Sequence, residues 1–254
     1  MISIVCWKWD NGIHPKKHIR FTTEHVNVLR ASVERHYPKP HRFICVTDNR
    51  IGLHSSIEYI NIDDHFSLFK EHGGCYRRLQ AFDHLTGMTL FGNRFISLDL
   101  DVVVTGNLTA IFDFQDDFKI WEDSIHRRTP YCGSLWGMKA GARVNVWSDF
   151  LQNPDRCIHR AKEKDFVGTD QAHISACLWP NEKTWTIADG IYNFNTSVRV
   201  RTTSATRRGK EIEIKTKGIG LPVDAKLVFF NGKYDPSHIE LQRKHPWIRD
   251  HWHA

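Results

Sequence analysis

Residues 95–107 read FISLDLDVVVTGN, a run that would be an ordinary buried strand but for Asp99 and Asp101. Phe95, Ile96, Ser97 and Leu98 lead into Asp99, Leu100 and Asp101, and Val102 to Val104 follow before Thr105, Gly106 and Asn107 break the run. A buried carboxylate without a partner costs several kcal/mol, so a strand carrying two must supply compensation. Alternation along an extended chain predicts that positions 99 and 101 share one face while Leu100 points to the other. Paired oxygen ligands of this kind suit a hard divalent cation, Mg²⁺ or Mn²⁺, whose shell is commonly completed by substrate phosphates. A solvent-facing or helix-capping pair of acids is the competing explanation, and the surrounding sequence has to decide between them.

The chain of 254 residues is 41% hydrophobic, enough for one large domain or two small ones. Ile2 to Trp7 is too short an apolar run for a secretory signal, and no stretch approaches a membrane span. Six widely spaced cysteines without a Cys-x-x-Cys indicate neither a zinc ribbon nor a disulfide framework, which fits a cytoplasmic protein. The formal charge is +6, with a basic excess in Arg199, Arg201, Arg207, Arg208, Lys210, Lys215 and Lys217. That segment is a solvated loop or a surface for nucleic acid, an anionic membrane or a phosphorylated substrate.

Ile2–Trp7, Arg42–Val46 and Arg94–Leu98 are continuous apolar runs bounded by polar residues, as expected of strands buried on both faces of a mostly parallel sheet. Between the first two, Thr22 or Thr23 caps a helix carrying Val26, Leu29 and Val33 and ending before Pro38. Ligands of open α/β sheets bind outside the carboxyl ends of strands, so Cys6 to Asp10 and Thr47 to Asn49 are expected to wall one site. Further helices are expected from Tyr76 toward Leu85, around Val144 to Leu151, and from Asp170 to before Pro180. Trp121–Asp123, Pro130–Met138, Trp185–Ala188, Phe194–Val200 and Leu227–Phe230 read as extended, and Thr202–Gly220 has linker character, as a mobile lid or an acceptor loop.

Arg94 to Phe112 resembles the metal-binding segment of nucleotide-sugar glycosyltransferases with the GT-A fold. Tyr76–Leu79 is similar to the Tyr-x-Arg-Leu segment of the glycogenin and lipopolysaccharide galactosyltransferase type. Tyr131–Leu135 resembles the strand lining the sugar pocket, Gly168–Gln171 the Asp-Gln helix start, and Phe229–Gly232 the His-Phe-x-Gly segment. Cys6–Trp9 is similar to bacterial members that build surface polysaccharides. The resemblance implies a Rossmann-like α/β chain with a mixed, mostly parallel sheet flanked by helices. It implies a single domain over 1–254, with a nucleotide-sugar half at about 1–125 and an acceptor half at about 126–254.

On this resemblance Asp101 binds Mn²⁺ or Mg²⁺ directly, Asp99 shares the ion or accepts a hydrogen bond from the ribose, and Cys6, Trp7, Lys8, Thr47, Asp48 and Leu100 border the UDP moiety of a UDP-sugar. Arg78 faces phosphate or positions Asp99, and Gly232 and Lys233 meet the leaving diphosphate. Asp170 and Gln171 approach the transferred sugar or the acceptor hydroxyl. Two departures stand out: Phe229 replaces a metal-binding histidine, and Asp235 replaces a lysine expected before Pro236.

Each assignment has a plainer rival. Trp7 and Trp9 alternate, so at most one stacks on a base and the other is core. Arg78 is otherwise a surface ion pair, and Asp170 a helix cap. Asp123, Glu122 and Asp170 are conceivable general bases. His14 and His18 have helical metal spacing, interrupted by Pro15, and His251–His253 form a frayed or folded-back tail. The acceptor is a glycan, a lipid-linked glycan at the membrane periphery, or DNA with a hydroxymethylated base. A catalytically inactive basic binding module and a nucleotidyltransferase complete the alternatives, the latter lacking a glycine-rich loop after strand one.

Overall fold

In the computed structural model the described residues are 1–9, 21–122, 128–199, 201–207, 210–217 and 220–254, with backbone only for 201–207 and 210–217. Asp10, His14, His18, Asp123 and Arg208, and the side chains of Arg201, Arg207, Lys210, Lys215 and Lys217, lie outside what is described.

The three apolar runs form strands β1 (Ile2–Lys8), β2 (His41–Thr47) and, after β3 (Glu58–Asn61), β4 (Arg94–Leu98). With β5 (Val102–Val104), β6 (Phe118–Glu122), β7 (Tyr131–Lys139) and β8 (Lys183–Trp185), they build most of the fold. The main sheet runs β3-β2-β1-β4-β7-β6-β8. Its first four strands are mutually parallel, and β7 is antiparallel to both β4 and β6.

Both faces of this sheet are covered, which is why β1 is buried at every position from Ile2 to Trp7, all of them apolar but Ser3, rather than at alternate ones. Ile4 and Cys6 pack toward helix α1 (Thr23–His36) through Val26, Leu29 and Val33. Burial of each such aliphatic side chain stabilises the fold by about 1.5–3 kcal/mol. Val5 and Trp7 face the other way, toward Leu79 and Phe82 of the 3₁₀ helix Tyr76–Phe82 and toward α2 (Val144–Gln152) and α4 (Asp170–Leu178), with α3 (Pro154–Glu163) between them in sequence.

A second sheet of three strands has the order β5-β12-β9, where β9 is Ile191–Asn193 and β12 is Leu227–Phe229. The acid-bearing run is therefore two strands in two sheets, joined by a bend over Asp99, Leu100 and Asp101. The expected alternation does not apply there, because the chain leaves one sheet and enters the other within three residues. Phe194–Val198 is a wide helical turn rather than a strand: the Asn193 side chain accepts from the Asn195 and Thr196 amides at 2.9 and 3.3 Å and starts it. The segment read as a linker contains an antiparallel hairpin, β10 (Arg201–Arg207) with β11 (Lys210–Lys217), whose register shifts between Thr203 and Ser204. Among the described residues no helix is long and apolar enough to cross a membrane.

Candidate active site

Asp99 is fixed from the main sheet: its amide donates to the Ser134 carbonyl of β7 at 2.9 Å. Asp101 is fixed from the small sheet, its carbonyl accepting the Phe230 amide at 2.7 Å just beyond β12. Leu100 between them is buried in the core, so only its backbone can border a ligand. The Asp99 side chain is 26% exposed. Burial, with the neighbouring charges of Asp99 and Asp235, pushes the Asp101 carboxyl well above the usual carboxylate range, against the weaker pull of Arg78. Arg78 is paired with Asp99, yet the Asp101 carboxyl beside it remains costly to ionise, a charge that a divalent cation would neutralise.

Among the described residues no third His, Cys, Asp or Glu completes a metal-holding group with them. Phe229 instead stacks on Trp121, with ring centroids 4.7 Å apart and planes inclined by 24°. The residues present fit a cation that takes its remaining oxygens from phosphate and water.

Arg78 is buried, not a surface ion-pair residue. Its Nε and Nη2 donate to Oδ2 of Asp170 at 2.9 and 2.6 Å, Nη1 donates to Asp99, and Nη2 also reaches the Gly133 carbonyl at 3.4 Å. Burial works against the guanidinium charge, but Asp170 and Asp99 outweigh it and hold Arg78 protonated. Asp170 does not cap its helix: Thr169 occupies that position, and Asp170 is the first helical residue with its carboxylate given to Arg78.

The pairing of β6 with β7 jumps between Ile120 and Trp121, whose partners are Trp136 and Cys132, so residues 133–135 have no β6 neighbour. Bulges of this kind redirect side chains beside functional sites. Here the freed segment supplies Gly133, whose amide donates to Gln171 Oε1 at 3.4 Å, and Ser134. Gln171 Nε2 in turn donates to the Val167 carbonyl at 3.1 Å. The result is a cavity of about 180 Å³ lined by Asp101, Trp121, Thr129, Cys132, Ser134 and Gln171 on one side and Asn193, Phe229, Phe230 and Asn231 on the other. That is below the roughly 300 Å³ of pockets enclosing a whole drug-sized ligand, so it suits one ring or group of a larger molecule.

The carboxyl ends of β1 and β2 meet as expected, Lys8 Nζ donating to Thr47 Oγ1 at 3.3 Å and standing 3.9 Å from Asp48. Cys6 and Trp7 are corrections. The Cys6 thiol is fully buried beside Cys45, which raises its pKa, and Trp7 donates to Ser97 Oγ at 2.9 Å and packs edge-on against Phe66. Neither side chain reaches a ligand, because both faces of β1 are core. Gly232 has φ 68° with open space where a Cβ would stand, and Lys233 is exposed, 5.6 Å from the Tyr234 ring. Arg199 lies over that same ring at 4.4 Å. Glu122 accepts from Thr184 Oγ1 at 3.0 Å. The tail is folded back rather than frayed: Trp252 is buried, and Arg35 donates to the carbonyls of His251 and His253 at 3.3 and 2.8 Å.

Asp235 is 1% exposed, far from the solvated role of a phosphate-contacting lysine. It accepts from His25 Nε2 at 3.1 Å and from the Ser237 amide at 2.8 Å and hydroxyl at 2.5 Å. Burial would raise its pKa, but those hydrogen bonds more than offset it and hold the carboxyl below the usual range. Sequence reasoning passed over Trp121, Thr129, Asn193 and Asn231 as site residues. Only Asn231 carried a signal, lying inside the Phe229–Gly232 segment.

No family model and no curated protein matches the chain in sequence. Among solved structures it is similar to the galactosyltransferase LgtC in complex with donor and acceptor sugar analogs, at 13% identity over 98% of this chain and 95% of that one, with a TM-score of 0.58. An active-site mutant of LgtC aligns over the same shares at 12% identity with a TM-score of 0.59. The glycosyltransferase GlyE of Streptococcus pneumoniae TIGR4 aligns at 10% identity and a TM-score of 0.58, over 98% of this chain but 60% of GlyE. At such identities the likeness is one of architecture: the chain has the GT-A-type fold of the glycosyltransferases LgtC and GlyE.

Proposed function

We propose that this protein is a metal-dependent glycosyltransferase that moves a hexose from a UDP-sugar to a hydroxyl of a bacterial glycan in the cytoplasm. The observation that carries the reading is the pair Asp99 and Asp101, anchored from two sheets, with Asp101 lining a cavity of about 180 Å³ that suits one sugar ring. Transfer from a nucleoside diphosphate needs stabilisation of a leaving group whose negative charge grows as the glycosidic bond breaks. Mn²⁺ or Mg²⁺ bound by Asp99 and Asp101 supplies that Lewis-acid and electrostatic stabilisation. Arg78 holds Asp99 in the orientation needed to share the ion, and Lys233 on its exposed turn neutralises the diphosphate. Gln171, Asp170 and the neutral hydroxyl, thiol and amide groups of the cavity orient the sugar, with Trp121 and Phe229 closing it on the apolar side. The nucleotide-sugar lies mainly on the half at about 1–125, with Lys233, Asp170 and Gln171 reaching it from the other half, and the acceptor on the half at about 126–254.

A thermal-shift screen of nucleotides and nucleotide sugars with and without Mn²⁺ tests the proposal. Ligand at a hundredfold excess over its dissociation constant raises stability by about 2.7 kcal/mol. UDP with Mn²⁺ is expected to give the largest shift. No response to any nucleotide–metal pair would refute the reading.

A further inference from the structure

The turn that follows β12 begins at the acid pair, because the Phe230 amide is bonded to the Asp101 carbonyl, and it ends in a buried carboxylate. Between those two points lie Asn231, Gly232, Lys233 and Tyr234: the Tyr234 amide donates to the Asn231 carbonyl at 3.4 Å, Asn195 Nδ2 donates to that carbonyl at 3.0 Å and to the Asn231 side-chain oxygen, and Arg199 lies 4.4 Å over the Tyr234 ring. The far end is tied through a buried pair. His25 and Asp235 are 4% and 1% exposed, 210 residues apart, and joined from Nε2 to both carboxylate oxygens at 3.1 and 3.3 Å.

The geometry fixes which nitrogen carries the proton. The Thr22 amide lies 3.1 Å from His25 Nδ1 and a backbone N–H can only donate, so Nδ1 is the acceptor and Nε2 bears the hydrogen given to Asp235. Trp252 and Phe21 pack edge-on against the imidazole with centroids at 5.4 and 5.5 Å, sealing the pair from water. In that dry setting a lost partner leaves a charge or a donor buried alone, which makes the contact effectively obligatory.

We propose that His25 and Asp235 are positioning residues of the transfer reaction: the pair latches the Asn231–Tyr234 turn to the first turn of α1 and so holds Lys233 within reach of the diphosphate. The inference rests on the transferase reading above. It assigns a use to Asp235, which as a carboxylate cannot serve the phosphate itself. One element thereby ties the bend bearing Asp101 to the helix that follows the nucleotide-side strand β1.

The experiment compares wild type, His25→Ala, His25→Gln and Asp235→Asn by hydrogen exchange without ligand and by calorimetric titration with UDP in saturating Mn²⁺. In His25→Ala the amides of 231–235 are expected to exchange at least tenfold faster, with UDP–Mn²⁺ affinity at least tenfold weaker. The amide donor of His25→Gln is expected to restore most of both, and Asp235→Asn, which keeps the shape, to fall between. Should His25→Ala fail to fold, the Asp235→Asn comparison carries the test. Faster exchange with unchanged UDP–Mn²⁺ affinity would reduce the latch to a structural contact and overturn the proposal, as would unchanged exchange in both variants. A wild type that binds no UDP–Mn²⁺ would sink the transferase reading and this inference with it.

Discussion

Nε and Nη2 of Arg78 converge on a single oxygen of Asp170, at 2.9 and 2.6 Å, leaving Nη1 to turn toward Asp99. One guanidinium thus fixes the acid at the start of α4 and the first acid of the pair together. A planar fork can do this and a point charge cannot.

Replacing Arg78 should therefore damage stability as well as activity. Arg78→Ala leaves the buried Asp170 carboxylate without its guanidinium, and breaking such a buried pair costs about 3–5 kcal/mol. Urea denaturation would show the loss as a lower midpoint at constant slope. Arg78→Lys is expected to recover part of the stability but little of the turnover.

Asp101→Asn is expected to do the reverse. The folded state holds the Asp101 proton more tightly than the unfolded chain does. Its contribution is therefore favourable only below the ordinary carboxylate pKa of about 3.9, and it becomes a penalty as pH rises. At pH 7 and without metal, the asparagine variant should melt higher than wild type. Added Mn²⁺ and UDP should stabilise wild type and leave the variant unmoved, reversing the order. A variant that keeps the full metal response would remove Asp101 from the site.

His173 on α4 provides a pH response remote from the acids. It is buried, with Nε2 on the Val146 carbonyl at 2.9 Å, and burial lowers its pKa to about 4. For a base so depressed, the stability is present above about pH 6.5 and is lost as pH falls toward 4, by about 3 kcal/mol in all. The stability gap between wild type and His173→Gln, followed by denaturation from pH 7 to pH 4, should shift by that order in favour of the variant.

Gly133 sits where the freed segment of β7 faces the Arg78 network. A Cβ there would stand 3.2 Å from Arg78 Nη2 and 3.3 Å from both Asp170 Oδ2 and Gln171 Cβ. Gly133→Ala is expected to cost about 1–3 kcal/mol of stability, the usual range for overpacking. It should nevertheless lower turnover at least tenfold, because the displaced groups are those proposed to orient the sugar. Steady-state donor hydrolysis read beside a melting curve would separate the two effects.

The main sheet could be read from the chain because its strands are buried on both faces: Ile2–Trp7 and Phe95–Leu98 are apolar but for one serine each, Ser3 and Ser97, and α1 declares itself by Val26, Leu29 and Val33. The same burial withdraws Cys6 and Trp7 from the site: they lie near the end of a strand that points toward it, yet a strand covered on both sides has no side chain to spare. The bend at Asp99–Asp101 was hidden by Val102–Val104, which continue the apolar run in another sheet. Trp121 and Asn193 could not be found by spacing, since a register jump and a side-chain-capped turn bring them to the cavity.

Because Asp99 answers to β7 and Asp101 to β12, their separation gauges how the two sheets stand against each other. An ion shared between them would act as a rivet through that seam. Loading the site should then slow amide exchange well beyond it, in Val102–Val104 and Leu135–Met138 alike, and packing changes as distant as Val104 would be felt as altered metal affinity.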